Sequence, residues 1–438
     1  MRMAISGGSG TTGATPATPE TNGTPAVPDR RRRSVRLVFA AAGMAYLAVG
    51  LTIPVLPGYV TGTLHGNAGD VGWVMGGYTV TAVLSRPAAG LLLDRIGPRA
   101  VLSSGMLLMA VATGGYAVST TLPLLLACRL LLGVGLGATL SAATVWMVAL
   151  APPERQTWAI GLVGLVNYLV LAAGAPIGQL LVDHLGMNDT WLIAGAMPLL
   201  AVPLLAAVPG RRRPPAPGTR SGGALAATLR PGTAMALAAF GYAVVISFAV
   251  TALTRRGVGG ATAVVTGYAL AMVAIRLAGG RVRSDFTSPR ALGGVLAAEL
   301  AGVLLIGAAP CLPLAVLGAV LVAVGMAQSY PALGTLVARS VDDHRRGTAL
   351  AAYGAYVNIG IGLGNLVLGK VAASAGSTAM FLTAATALAA ATALAAHTAH
   401  TTQRPGHSRH MTEAGSENPA RNTPARNNSA RNNSARNR

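Results

Sequence analysis

Gly90-Leu91-Leu92-Leu93-Asp94-Arg95-Ile96-Gly97-Pro98-Arg99 closes a long apolar stretch, and Arg276-Leu277-Ala278-Gly279-Gly280-Arg281-Val282-Arg283-Ser284-Asp285 echoes it in degraded form in the second half. Arg86 and Gly90 match Arg276 and Gly280 at an offset of 190 residues, while Arg155, Val166 and Asn167 match Arg346, Val357 and Asn358 at 191. A charged, glycine-flanked turn between two apolar segments, present once per half, is the mark of a duplicated membrane transporter.

Outward from that turn, the composition agrees. Hydrophobic residues make up 52 % of the 438 and charged residues only 11 %, too little charge to cover a soluble surface. Apolar runs recur from Leu37 to Ala396, each long enough to cross a hydrocarbon core of ~30 Å. They run Leu37–Tyr59, Val71–Leu93, Val101–Val118, Leu122–Leu150, Trp158–Leu181 and Trp191–Val208, then Thr233–Leu253, Ala261–Gly280, Leu292–Ala309, Leu314–Ala338, Thr348–Val371 and Ala379–Ala396. In lipid, backbone polar groups must pair internally, and the ten-residue alternation of a barrel is absent, so all are helices. The expected fold is an all-α integral membrane protein with twelve transmembrane helices in two pseudo-symmetric six-helix bundles.

The net charge of +20 is not a nucleic-acid signature. Placing the 33 Lys and Arg on this layout puts 27 on one side, two on the other (Arg255, Arg256) and four within spans (Arg86, Arg129, Arg276, Lys370). That asymmetry makes both termini cytoplasmic. The expected parts are a disordered basic tail over 1–36, a first bundle over 37–208, a cytoplasmic linker over 209–231 that carries Arg211-Arg212-Arg213, a second bundle over 232–396, and a low-complexity tail over 397–438. Arg30–Arg33 ahead of Leu37 imitates a secretory signal, but the apolar run is too long and is read as an uncleaved first span. Cys128 and Cys311 form no disulfide framework and no metal-ligand spacing.

Three runs carry a family resemblance. Gly90–Arg99 resembles the loop signature between the second and third helices of the major facilitator superfamily. Arg129-Leu130-Leu131-Leu132-Gly133-Val134-Gly135-Leu136-Gly137 resembles its fourth-helix signature, with Leu132 where Gln is common. Gly174-Ala175-Pro176-Ile177-Gly178-Gln179 resembles the fifth-helix Gly-Pro signature of antiporters, with Ala175 inserted and Gln179 for a Gly. The resemblance covers about Arg36 to Ala396, and the drug and metabolite exporters are its most similar branch. It implies secondary transport by alternating access in a bacterial cell membrane, with proton-coupled efflux of a small organic molecule. It also implies a latch at Gly90, Asp94, Arg95, Gly97 and Arg99 that holds the bundles in the outward-facing state, and proton coupling at Arg129. Pro98 replaces a usual base, Ser284 takes the acid's place in the second copy, and the first span holds no acid.

Several residues stand out on physical grounds. Arg129 lies inside a span, where a charge costs roughly 2.5–3.5 kcal/mol on insertion scales. It faces either a wet cavity or neighbouring carbonyls. Glu299 is the only acid well inside a span. A carboxyl removed from water favours its neutral form, which suits either proton coupling or a structural role against a neighbouring helix. Asn167 and Asn358 hold corresponding positions in the fifth and eleventh spans and serve either a polar substrate or interhelical bonds. Tyr46, Tyr242, Tyr268, Gln328 and Tyr353 are further cavity candidates. Gly133, Gly137, Gly174, Pro176 and Gly178 are read as helix-packing positions, and Arg86, Arg276 and Lys370 as snorkelling cations. No catalytic triad, paired carboxylates, zinc ligands or phosphate-binding loop is present, so neither an enzyme nor a cofactor is expected. The expected partners are a small-molecule substrate, protons and the lipid bilayer, on a monomer. A proton symporter importing a sugar or organic acid, and a non-transporting membrane sensor, are the alternatives.

Overall fold

The computed structural model describes residues 29–150, 156–208, 222–279, 287–341 and 343–403. Among them the chain is a succession of helical rods. In the first half these are α1 (Asp29–Thr52, continued by Leu56–Gly58 and the wider turn Tyr59–Thr63), α2 (Ala68–Ile96), α3 (Pro98–Gly114, tightening over Gly115–Val118), α4 (Leu122–Leu150), α5 (Gln156–Leu185) and α6 (Met187–Ala201, then Val202–Ala207). In the second half they are α7 (Gly222–Ala243, Val244–Phe248 and Ala249–Arg255), α8 (Ala263–Gly279), α9 (Pro289–Ala308) and α10 (Leu312–Arg339). The stretch Asp343–Gln403 breaks at Gly376 into α11 (343–375) and α12 (377–403). Eight described stretches are long and apolar enough to cross a membrane, and one of them, Ala352–Thr401, takes in both α11 and α12.

Local chemistry sets the joints. Asn67 caps α2, accepting from the amides of Gly69 and Asp70, while the Asp70 carboxylate accepts from the Asn67 amide at 2.8 Å. That reciprocal pair satisfies donors which a helix start leaves open. Gly97, Gly186 and Gly376 join α2 to α3, α5 to α6 and α11 to α12, each with φ between 84° and 87°, a conformation that side-chain-bearing residues rarely adopt. Gly186 and Gly376 are 190 residues apart, the same offset as the sequence echo, so the repeat is written in the turns as well as in the charges.

Helix ends differ from the hydropathy reading in one direction. α1 starts at Asp29, inside the expected tail; α7 starts at Gly222, inside the expected linker; and α12 runs on to Gln403. Hydropathy marks the part of a helix that lies in lipid, whereas hydrogen bonding carries the helix further into polar surroundings. Arg155, Arg211–Arg213, Arg281–Asp285 and the Asn-rich tail lie outside the described residues.

Packing repeats between halves. α1 lies against α5 and α6, and α7 lies against α11; α4 contacts both α2 and α3, and α10 contacts α8 and α9. The halves meet crosswise, α2 on α11 and α5 on α8. Advancing each partner by six helices turns one crossing into the other, as an approximate two-fold requires. Between apolar helices in lipid there is little hydrophobic drive to associate, so close backbone approach at small residues supplies much of the cohesion.

Candidate substrate cavity and charged sites

A small cavity opens where the halves meet. Its walls are Tyr46, Val49, Gly50 and Ile53 of α1, Tyr78 of α2, Leu136 of α4, Val170 of α5 and Tyr242 of α7. None of these side chains is charged, and three tyrosines give it polar edges. Two of the cavity candidates from the sequence, Tyr46 and Tyr242, are therefore wall residues. Tyr268 of α8 is fully buried and meets Tyr242 edge-to-face, with centroids 5.8 Å apart.

Close approach of the helices around the cavity depends on glycines. A Cβ on Gly133 or Gly137 would strike the α2 backbone and the hydroxyls of Thr81 and Ser85, and one on Gly174 would lie 2.7 Å from the Gly50 carbonyl carbon. A Cβ on Gly178 would lie 3.0 Å from Leu51 Cα. Pro176 falls between these two contacts inside α5.

Arg129 sits one layer behind the cavity wall. It is fully buried. Its Nε donates to the Val74 carbonyl at 2.8 Å, Nη1 to the Tyr116 hydroxyl at 3.4 Å and Nη2 to Met75 Sδ at 3.5 Å. The guanidinium carbon stands 4.4 Å from the centroid of the Tyr78 ring. The charge is thus spread over a carbonyl, a hydroxyl and an aromatic face, all of which attract a cation. Arg129 fixes the ring that forms the α2 wall of the cavity.

Glu299 occupies a different place, between α9, α7 and α10. It is fully buried, and neither carboxyl oxygen has a hydrogen-bond partner among the described residues. Two glycines make the space for it. A Cβ on Gly241 would lie 2.6 Å from Oε1, and one on Gly325 would lie 2.8 Å from Oε2. One turn along, Gly302 and Gly318 bring α9 and α10 into backbone contact.

The end of the molecule that carries the α1–α2 and α11–α12 turns is closed. Along α2, Gly69, Gly72 and Gly76 face Gly362, Asn365 and Gly369 of α11. A Cβ on Gly72 would be 2.5 Å from the Asn365 carbonyl oxygen, and one on Gly76 would be 2.8 Å from that of Gly362. Asn365 is buried, and its amide donates to Ile361 O at 2.9 Å and, across the halves, to Met75 O at 3.5 Å.

A profile of the Major Facilitator Superfamily matches residues 38–259 and 232–427. The chain belongs to the major facilitator superfamily. Among its relatives, the uncharacterized MFS-type transporter YhhS of Escherichia coli K12 is 29 % identical over 354 residues, covering 78 % of this chain and 86 % of its own. An uncharacterized MFS-type transporter of Burkholderia mallei (strain SAVP1) is 30 % identical over 359 residues, with the same coverage of 78 % and 86 %. The solved structure of a bacterial homolog to the human lysosomal transporter Spinster, inward-facing and unoccupied, matches with a TM-score of 0.68 at 15 % identity, over 86 % of this chain and 98 % of that one. At that identity the likeness is one of fold. The molecule is a multi-pass membrane transporter of this superfamily.

Asp94, Arg95 and Arg99 are exposed, and no ion pair or hydrogen bond holds them among the described residues. Gly97 supplies the positive-φ joint. Gly90 makes no close helix approach, since a Cβ there would meet nothing within 4 Å. Asn358 is half-buried and donates to Gly354 O of its own helix at 3.4 Å. The Asn167 and Arg276 side chains lie outside the described residues. Gln328 is half-buried on α10, and Tyr353 is buried, its hydroxyl donating to Tyr330 O at 2.8 Å while the two rings stack at 5.3 Å.

Sequence reading missed Asn365, Gly72, Gly241 and Gly325, and assigned Arg86 to the headgroups. A signal for the first two existed. Gly69, Gly72 and Gly76, like Gly362, Asn365 and Gly369, repeat at steps of three or four, which puts each set on one helix face. Arg86 is half-buried, and its Nε is shielded from solvent with no acceptor among the described residues.

Proposed function

We propose that this transporter expels a small organic molecule across the cell membrane in exchange for protons, by alternating access. The observation that carries the reading is the pairing of a cavity at the junction of the halves with a close α2–α11 backbone seam at one end. Tyr46, Tyr78 and Tyr242 bring both halves to one cavity. Gly72 and Gly76 against Asn365 and Gly362 make a close backbone seam beside it, and Asp94, Arg95 and Arg99 at the far end have no ion pair or hydrogen bond among the described residues. With both termini cytoplasmic, as the charge distribution implies, this conformer is closed to the outside and the Asp94 latch is released.

Efflux is supported by the fifth-helix signature, whose Gly174 and Gly178 seat α5 on α1 beside the cavity. Proton coupling is assigned to Glu299, the one acid placed in the apolar interior, with Arg129 holding the Tyr78 wall in register. An ionised Glu299 has no donor in its cradle, so the protonated carboxyl is the form that this packing accommodates. Loss of the proton forces α9, α7 and α10 to readjust, which links protonation to the rocking of the second half. A ligand and a proton that favour opposite conformers exchange through their differential affinity for those conformers.

Everted membrane vesicles from cells expressing the chain test the direction. Accumulation of substrate inside such vesicles, abolished by collapsing the pH gradient, is the expected result. Depletion of substrate from them shows import and refutes efflux.

A further inference from the structure

Arg86 is the one described cation in the membrane interior whose charge the protein leaves unmet. Arg129, by contrast, is bonded in three directions and covered by a ring. Arg86 has no hydrogen bond or ion pair among the described residues, and its Nε is closed off from solvent. Charged residues within a membrane bundle are costly and mark substrate pathways by default.

Its position fits that role. Arg86 lies eight residues beyond Tyr78 on α2, so it stands about 12 Å along the helix from the cavity wall, on the side away from the Gly72–Gly76 seam. The guanidinium is within electrostatic reach of Tyr46, a cavity residue of α1, and of Tyr330 on α10. It therefore lies near residues of both halves. Tyr330 is 37 % exposed and stacked on Tyr353, which also fixes the Tyr330 backbone. A guanidinium with no partner among the described residues, within electrostatic reach of Tyr46 and Tyr330, offers a fork of donors near a cavity wall that is largely apolar and aromatic, a combination that suits a carboxylate on an aromatic or otherwise apolar body. Among the acids whose side chains are described, none pairs with it: Asp70 is in its cap, Asp94 and Asp189 are exposed, Asp183 pairs with Gln179, and Glu299 is in its glycine cradle.

We propose that Arg86 is the docking point for the anionic group of the transported substrate, which is a small organic acid with an apolar body. This rests on the transporter reading above and narrows its substrate class.

The test uses the purified full-length protein and a matched trio of probes: indoleacetate, its neutral amide indoleacetamide, and the cation tryptamine. Equilibrium dialysis should show indoleacetate binding at least about tenfold tighter than the amide, the scale of one or two charge-assisted hydrogen bonds, and tryptamine not competing. Arg86→Gln should erase the preference for the acid while leaving the weak amide binding and the melting temperature unchanged, and Arg86→Lys should retain part of it. Equal binding of acid and amide by the wild type, including no binding of either, overturns the proposal, as does full acid preference in Arg86→Gln. A short-chain phosphatidylglycerol that binds in an Arg86-dependent manner where indoleacetate does not would make the occupant a lipid headgroup and overturn the substrate assignment. Counterflow of labelled probe in proteoliposomes separates the two readings. Arg86-dependent binding without exchange keeps the anion site and refutes transport, whereas exchange without acid preference keeps transport and refutes the site.

Discussion

Substituting Gly72 by alanine should unseat the closed end. The added Cβ would lie 2.5 Å from the Asn365 carbonyl oxygen and 3.1 Å from Gly369 Cα, against an ordinary contact of about 3.4 Å or more. Both neighbours are backbone atoms, so no rotamer change relieves the clash; α2 and α11 must move apart by close to an ångström. Overpacking of this kind costs about 1–3 kcal/mol. The cost falls only on the conformer in which the two helices touch, so it shifts the equilibrium toward opening of this end by about 5- to 150-fold. Gly58→Ala is the control, because a Cβ there meets nothing within 4 Å. Spin labels at His65→Cys and Ala375→Cys, both exposed at this end, in a background lacking Cys128 and Cys311, report the separation by pulsed electron resonance. The Gly72→Ala distribution should move to longer distances while the Gly58→Ala distribution stays with the parent. An unchanged Gly72→Ala distribution in folded protein would show that the α2–α11 seam does not govern this closure.

Three further predictions follow from the geometry. Glu299→Gln keeps the shape and removes the titrating group, so substrate counterflow should persist while transport driven by an imposed pH gradient is lost; retained pH-driven transport would remove Glu299 from coupling. Gly241→Ala should lower the melting temperature, because its Cβ would press into Oε1, Cγ and Cδ of Glu299, and Glu299→Ala in the same chain, which removes all three atoms, should restore much of the loss; independent, additive losses would contradict the cradle. Arg129→Ala removes the donors to Val74 O and Tyr116, at a cost of about 2–4 kcal/mol for charge-assisted bonds in a buried site, and Arg129→Lys should recover less than half of it because one ammonium cannot serve three directions. A melting temperature unchanged in both variants would show that Arg129 does not anchor α2.

The fold was legible because it rests on long-range repetition of simple signals. Apolar run length, the asymmetry of arginine and the echo of Gly90–Arg99 are all one-dimensional, and membrane helices obey them with little tertiary interference. The turns added confirmation at Gly186 and Gly376. Helix ends were read short, since Arg30–Arg33 is polar and yet helical, and Pro231 lies inside its helix instead of ahead of it.

The site was legible only in part. Tyr46 and Tyr242 were found because polar aromatics on cavity-side helices of this architecture are few. Arg86 was taken as a snorkelling cation because its depth resembles that of a headgroup anchor; facing inward rather than outward is a matter of helix rotation, which the single-sequence pattern leaves open when both faces are apolar. Gly241 and Gly325 carried no local cue. Their purpose appears only when Glu299, distant in the chain, fills the space that they leave. Arg129 was recognised as exceptional, but its partners are a carbonyl, a hydroxyl and a thioether, none of which a search for complementary charge would reveal.

The central claim, proton-coupled movement of a small organic molecule through the cavity between the halves, is tested most directly by proton flux in proteoliposomes of known orientation. Under an imposed pH gradient, an externally added substrate should drive protons opposite to its own movement in the wild type and should drive none in Glu299→Gln. Proton movement in the same direction as the substrate, or substrate movement with no proton flux at all, would contradict the exchange mechanism.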